Sequence, residues 1–160
     1  TYNIQIFSFN KLYPSFLYPD KSQYDSSYKD NKIYHCLNSY NFFQWKKNVS
    51  QIINSNCSHL IFRYWNPFFV PLYLYIIKEI IRSNENIKLY CICDNVLSHE
   101  RIIFEEYFMK IFYRKFDGYM VMSNNSKELL IEMKFNENKI IKSFLPIKKT
   151  LNNNKRAFVE

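Results

Sequence analysis

The stretch HLIFRYWNPFFVPLYLYIIKEIIRSNENIKLYCICDN, residues 59–95, decides the fold of this chain. It opens with a short apolar run at residues 59–65 and ends with another at 87–93. Between them, residues 67–83 repeat apolar side chains at the spacing of an amphipathic helix, and Asn66 just before them is a candidate helix cap. Strand, helix and strand in this order predict two parallel strands joined by a crossover helix.

The same alternation continues on both sides of this stretch. The further predicted strands are residues 2–9, 32–37, 118–122 and 139–145, and the further helices are 41–54, 100–115 and 125–134, with a polar loop at 10–31. Several strands are apolar on both faces, which favours a parallel sheet covered by helices on each side. The predicted fold class is α/β, a Rossmann-like three-layer sandwich with a mostly parallel sheet over residues 1–150, followed by a polar tail at 151–160.

The composition excludes two classes of phosphate-binding protein. The chain has 160 residues, about one domain, and 48% of them are hydrophobic, as expected for a globular protein. It contains one glycine, Gly118. A dinucleotide-binding fingerprint and a Walker-type loop both need several glycines where the backbone approaches phosphate, so neither motif can be present.

The net charge of +8 favours anionic partners without choosing among them. Phosphorylated metabolites, acidic lipid and nucleic acid all fit such a field, and a solvated basic surface explains it equally well. The basic residues are spread over both halves of the chain, and no nucleic-acid-binding motif is present, so nucleic acid is not an expected partner.

The cysteines indicate free thiols rather than a metal site. The four cysteines lack C-x-x-C spacing, and Cys91 and Cys93, two residues apart, should point to the same face of a strand. The opening residues do not resemble a signal peptide, and the uncharged apolar run at 65–77 is shorter than the about 20 residues that span a bilayer. We therefore expect a soluble, cytoplasmic protein.

Polar residues at the carboxyl ends of predicted strands are the candidate site, because ligands bind at that edge of open α/β sheets. After the strand at 87–93 come Asp94, Asn95, His99 and Glu100, which could accept a proton from a hydroxyl or hydrogen-bond a sugar. Helix capping by Ser98, with Glu100 in the first turn, is the alternative interpretation.

Two other strand ends carry weaker signals. Trp65 and Asn66 follow Arg63, so an aromatic platform stands beside a donor for phosphate or carboxylate, although core packing explains the aromatic residues equally well. Ser123 opens the helix after residues 118–122, where helix capping is favoured over anion binding. The loop at 11–25 mixes aromatic and basic residues that suit a membrane interface, or that simply pack on one another.

Four segments carry a family resemblance. Residues 12–25 resemble a loop after an early strand. Residues 62–71, FRYWNPFFVP, resemble a turn of the form F-Q-W-W-T-P-F-F-A-P; residues 93–100, CDNVLSHE, are similar to C-H-N-V-L-P-H-E; and residues 117–123, DGYMVMS, are similar to D-x-x-I-V-H-S. Their order and spacing, over roughly residues 3–146, resemble the N-terminal, acceptor-side domain of bacterial glycosyltransferases of the GT-B fold, family 4 or group 1.

The resemblance implies a reaction and roles for these residues. Such enzymes move a hexose from an NDP-sugar to a hydroxyl of a glycan or lipid-linked acceptor, with retention and without a metal or another cofactor. Asp94 and Asn95 would then be the catalytic residues in the cleft, and Asp94 stands where the family has His. Substrate would be bound at Trp65, as the acceptor platform, and at the remaining candidate positions: Asn66, His99, Glu100 and Ser123.

Two parts of the family pattern lie outside the matched segments. A first strand with a Gly-rich loop should precede residue 2, and a second domain that binds most of the NDP-sugar should follow residue 146. We therefore expect a truncated acceptor-side domain that is inactive alone, with peripheral contact at the inner face of the cell membrane. A non-enzymatic Rossmann-like binding or interaction module is the alternative.

Overall fold

The structure, a computed structural model, describes residues 3–14, 32–97 and 105–144. Its elements, in chain order, are β1 (Ile6–Lys11), β2 (Ile33–Asn38), α1 (Phe42–Asn54), β3 (His59–Tyr64), α2 (Val70–Ser83), β4 (Lys88–Cys93), α3 (Glu105–Tyr113), β5 (Gly118–Val121), α4 (Asn124–Glu132) and β6 (Ile140–Lys142). Short 3-10 helices at Pro67–Phe69 and Glu137–Lys139 precede α2 and β6. The predicted tail and most of the predicted loop at 10–31 lie outside the described residues.

All strand pairings that the structure describes are parallel. β1 pairs with β2, and a four-stranded sheet has the order β3-β4-β5-β6. In that sheet each strand lies beside its predecessor in the chain, and a helix connects each pair. The predicted α/β class with a parallel sheet is confirmed.

The core lies between the four-stranded sheet and the helices. The side chains of Phe62 and Tyr64 leave β3 on the same face, because residues two apart on a strand do so. Phe62 packs against Tyr73 of α2, and Tyr64 packs against Phe112 and Tyr113 of α3. Aromatic residues therefore fill much of the layer between the sheet and the helices.

The opposite face of the four-stranded sheet is partly open among the described residues. Ile61 is 61% exposed and Ile141 is 63% exposed, and Tyr90 between them is exposed as well. The apolar strands predict that helices cover both faces of the sheet. The helix contacts just described, however, all lie on the face that carries Phe62. An apolar side chain does not require burial, so composition alone cannot say which face of a strand is covered.

The start of α2 differs from its prediction for a local reason. The sequence predicts one helix from Pro67, whereas the structure has a 3-10 helix at Pro67–Phe69 and begins α2 at Val70. The Asn66 side chain accepts a hydrogen bond from the backbone N–H of Phe68 at 2.9 Å, which confirms Asn66 as a cap. The 3-10 helix and α2 each have a proline near their start. Proline is tolerated there because the first N–H groups of a helix have no hydrogen-bond partner within the helix.

In the part of the chain that the structure describes, no helix is long and apolar enough to cross a membrane.

Candidate functional site

The carboxyl ends of β3 and β4 place the two main candidate segments side by side. Tyr64 lies opposite Cys93 in the parallel register, and the backbone N–H of Asp94 donates to the carbonyl of Tyr64 at 2.9 Å. Because this bond continues the ladder beyond the strands, Trp65 and Asp94 leave the same edge of the sheet.

Asp94 forms an ion pair with Arg63 at this edge. The Nε atom of Arg63 donates to Oδ2 of Asp94 at 2.8 Å, and the two side chains are 62% and 23% exposed. The residues are separated by 31 positions in the chain. The sequence predicts Arg63 as a donor for a phosphate or carboxylate ligand, but it does not predict the ion pair between Arg63 and Asp94.

The second oxygen of the Asp94 carboxylate is enclosed and has no donor among the described residues. A buried acceptor without a partner is costly, and an ordered water is the usual donor to such an oxygen. Its neighbour Asn95 is exposed. Asp94 therefore orients Arg63 with Oδ2, while its Oδ1 is closed to a ligand in this arrangement.

Trp65 belongs to an aromatic edge cluster formed by the side chains of Phe9, Tyr13, Trp65, Phe68 and Phe69. The Trp65 ring lies 4.6 Å from the Phe69 ring and 6.2 Å from the Phe9 ring, centroid to centroid, and Tyr13 packs on Phe68 at 5.7 Å. Phe69 is fully buried, whereas Trp65 is half-buried and Phe68 is exposed. Trp65 thus packs against the core with part of its surface and leaves the rest accessible to a ligand.

Two of the other predicted site residues serve as caps. Asn66 caps the 3-10 helix, as described above. The Oγ atom of Ser123 accepts from the backbone N–H of Ser126 at 3.1 Å and lies 2.9 Å from the Oγ of Ser126, so Ser123 caps α4. The capping interpretation is confirmed for both, and their contact with substrate stays a prediction. His99 and Glu100 lie outside the described residues.

Sequence reasoning missed the buried polar turn after β2. The side-chain oxygen of Asn38 accepts from the backbone N–H of Asn41 at 3.0 Å, and its carbonyl accepts from Nε1 of Trp45 at 2.8 Å. The Oγ of Ser39 donates to the carbonyl of Leu12, which joins this turn to the end of β1. The composition Asn-Ser-Tyr-Asn between a strand and a helix is typical of a turn and was the available signal.

The charges along this edge are mostly positive. Lys11 is the last residue of β1 and Lys142 the last of β6, and Arg63 is the next-to-last residue of β3. The Nζ atom of Lys142 donates to the Asn124 side chain at 2.7 Å. Asp94 is the acidic residue among these strand ends, so the edge favours anionic groups.

Two of the four cysteines lie in the interior beneath the edge. Cys91 and Cys93 are free and fully buried on the helix-covered face, with their Sγ atoms 3.6 Å apart, which confirms the prediction from their spacing. Burial raises the pKa of the Cys91 thiol well above its ordinary value, and burial also raises the pKa of the Tyr64 hydroxyl. Cys91 therefore stays a thiol, which is a poor nucleophile.

Among the described ranges, no group of three or more His, Cys, Asp or Glu residues is arranged to hold a metal ion. A pocket lies near the ends of α1 and α2, at the amino end of β4 and away from Asp94, and its lining is mixed, with isoleucines such as Ile52 and Ile80 beside Asn56 and Asn84. The ion pair and the aromatic edge cluster therefore lie at the carboxyl edge rather than at this pocket.

Comparison of the chain with protein-family models, with curated proteins and with solved structures finds no match.

Proposed function

We propose that this chain is the acceptor-side domain of a GT-B glycosyltransferase, which positions a glycan or lipid-linked acceptor for transfer of a sugar from an NDP-sugar. The observation that carries the proposal is the Arg63–Asp94 pair at the carboxyl edge of a parallel sheet, with the half-buried Trp65 leaving the same edge two residues after Arg63. An aromatic face stacks on a sugar ring, and the accessible part of the Asp94 carboxylate, whose side chain is 23% exposed, accepts a hydrogen bond from a sugar hydroxyl. In this assignment Asp94 and Asn95 contact the reacting sugars.

The two tryptophans of the chain allow a direct test. The indole N–H of Trp45 is bonded to the Asn38 carbonyl inside the protein, whereas Trp65 lies at the proposed site. We expect methyl glycosides of glucose, galactose, mannose and N-acetylglucosamine, titrated against ¹⁵N-labelled protein, to shift the Trp65 indole signal saturably for at least one sugar. The Trp45 signal serves as the internal reference. No saturable shift with any of these sugars contradicts the proposal.

A matched pair of variants separates Asp94 from a general effect of charge. Asp94→Asn removes the carboxylate at the site, and Asp117→Asn removes a carboxylate that pairs with Lys88 at the opposite end of β4. We expect Asp94→Asn to weaken sugar binding about tenfold and Asp117→Asn to leave it unchanged. Equal binding by both variants and the wild type would exclude Asp94 from the site.

These 160 residues alone are expected to transfer no sugar from an NDP-sugar, and measurable transfer would refute that expectation.

Peripheral membrane contact is a second part of the proposal, and exposed aromatic residues near the same edge support it. Phe43 at the start of α1 is 98% exposed, and Lys46 and Lys47 follow on the same helix. An aromatic ring next to lysines suits the boundary of an anionic bilayer, where each basic residue adds about 1 kcal/mol of attraction.

Vesicle sedimentation tests this contact. We expect the protein to bind vesicles that contain phosphatidylglycerol, and Phe43→Ser to reduce that binding, whereas vesicles of phosphatidylcholine alone should bind little. Ile81→Ser changes an exposed apolar residue near the far end of α2 and is the matched control. If both variants bind like the wild type, Phe43 does not contact the membrane.

The alternative function, a non-enzymatic interaction module, is favoured by one observation, the open apolar face around Ile61 and Ile141. Exposed apolar patches commonly mark interaction sites. Concentration-dependent self-association that Ile61→Thr abolishes, without any saturable binding of sugars, would favour this alternative over the glycosyltransferase domain.

A further inference from the structure

Arg63 is held by one edge of its guanidinium group. Its Nε donates to Asp94, and this is the one hydrogen bond of the Arg63 side chain to the described residues. A guanidinium has five N–H donors, four of them on the two terminal nitrogens. The side chain is 62% exposed, so this terminal edge faces solvent. Two parallel N–H groups on such an edge match the oxygens of a phosphate or carboxylate.

Asp94 holds Arg63 ready for a ligand. The carboxylate is itself fixed, because the Asp94 backbone N–H is bonded to Tyr64 and one carboxylate oxygen is enclosed. A flexible side chain loses conformational entropy when it binds a ligand, and restraint before binding reduces that loss. The ion pair therefore leaves Arg63 charged, oriented and open at its terminal edge.

Arg82 is a natural contrast within the same chain. It is also exposed, at 70%, and it also pairs with a carboxylate, that of Glu79. Its terminal Nη1, however, donates to both oxygens of Glu79, at 3.1 and 3.3 Å. Arg82 lies in the last turn of α2, one helix length from the site. The two arginines thus differ in which edge of the guanidinium the carboxylate occupies.

We infer that the terminal edge of Arg63 binds an oxyanion of the substrate, a phosphate or a carboxylate, beside Trp65. The inference rests on the proposed function and narrows it: the acceptor handled at this edge carries a negative charge close to the sugar that stacks on Trp65. The positive strand ends at Lys11 and Lys142 favour such a ligand, while Arg63 supplies the directional contact.

Titrations with small probes test this inference. Inorganic phosphate, glucuronate and neutral methyl glucoside are added separately to the ¹⁵N-labelled protein at low ionic strength, and the Arg63 Nε–H signal is followed. We expect saturable binding of at least one of the two anions. Arg63→Gln should weaken it about tenfold, Arg63→Lys should weaken it less, and Arg82→Gln should leave it unchanged. Binding of phosphate alone indicates a phosphorylated acceptor, and binding of glucuronate alone indicates an acidic sugar.

Any one of three results overturns the inference. The first is that the wild type binds neither anion saturably, and the second is that Arg63→Gln binds the anion as tightly as the wild type. The third is that Arg63→Gln and Arg82→Gln lose the same amount of anion affinity, which indicates a diffuse response to net charge. Thermal unfolding of each variant checks its folding. The titration with neutral methyl glucoside distinguishes a failure of the proposed function from a failure of the anion inference. A Trp65 response to neutral sugar without Arg63-dependent anion binding removes the anion inference alone. The reverse result removes the proposed function, and with it the assignment of the anion to a sugar acceptor, and leaves an anion-binding site at Arg63.

Discussion

Asp117 shows how one carboxylate stabilises the junction between two strands. Its Oδ2 accepts from the backbone N–H of Leu89 at 2.9 Å, and its own backbone N–H donates to the Leu89 carbonyl at 2.7 Å. The hydrogen bond from Leu89 is the main reason that the pKa of Asp117 lies below its ordinary value of 3.8, with Lys88 and Lys139 adding to the effect. The folded state therefore prefers the ionised carboxylate.

A pH-dependent loss of stability follows for Asp117→Ala. At pH 7 the variant should unfold with a free energy about 1 kcal/mol lower than the wild type, because the N–H of Leu89 loses its charged acceptor. Since folding lowers this pKa, the contribution is complete above the unfolded-state value and disappears as the pH falls through the folded-state value. Urea unfolding at pH 7 and at pH 3 measures the difference, with the exposed Glu85→Ala as control. The same deficit at both pH values would contradict this role of the charge.

The four thiols are expected to react in two groups. Cys91 and Cys93 are fully buried, and Cys36 and Cys57 are half-buried. Because only an accessible thiolate reacts, Cys36 and Cys57 should be modified first by a thiol reagent, while Cys91 and Cys93 react only when the protein unfolds. Mass spectrometry of timed samples, with and without urea, locates the modified residues. Modification of all four thiols at one rate in native protein contradicts the burial of the pair.

At the scale of single residues, the sequence predicts some contacts and not others. The spacing of Cys91 and Cys93 is sufficient to place both on one face of a strand. The pairing of Arg63 with Asp94 depends on the register between β3 and β4, which no local pattern contains. The candidate residue Asp94 was therefore predicted from its position after a strand, whereas its partner had to come from the structure.

At the scale of elements, Ser123 offers a test that separates capping from binding. Ser123→Ala should lower the free energy of unfolding by about 1 kcal/mol, because the N–H of Ser126 loses its acceptor. Ser123→Asp should restore most of the stability, since aspartate is also a favoured cap and stabilises the start of a helix. Urea unfolding measures both, and Asn125→Ala, at an exposed position of α4, is the control. Equal stability of Ser123→Ala and the wild type would remove the capping role.

Strand and helix positions were largely predictable, and some of their ends were as well, such as the end of α1 at Asn54 and the end of β4 at Cys93, whereas others were not. β3 ends one residue before its predicted end, and α1 starts one residue after its predicted start, because periodicity identifies an element better than its terminal hydrogen bonds. β1, predicted at residues 2–9, is found at Ile6–Lys11. Its last residues are held in place by Ser39, whose N–H donates to the carbonyl of Lys11, a contact between segments far apart in sequence.

At the scale of the whole molecule, the two faces of the four-stranded sheet should respond differently to substitution. Phe112 is fully buried between α3 and the strands, in contact with Tyr64 and Phe116. Truncation to alanine leaves a cavity where an aromatic ring packed, which costs about 3–5 kcal/mol. On the other face, Ile61→Thr and Ile141→Thr change exposed side chains and should each alter stability by less than about 0.5 kcal/mol.

Chemical unfolding of these three variants tests whether the face around Ile61 and Ile141 is exposed in the folded protein in solution. The expected result is a large loss for Phe112→Ala and almost none for Ile61→Thr or Ile141→Thr, since only the former removes contacts that folding creates. A loss of more than about 2 kcal/mol in either threonine variant means that the Ile61–Ile141 face is packed, because losses of that size come from buried positions. Repetition at several protein concentrations then separates the sources of that packing, since contacts within one chain are independent of concentration and contacts between chains are not.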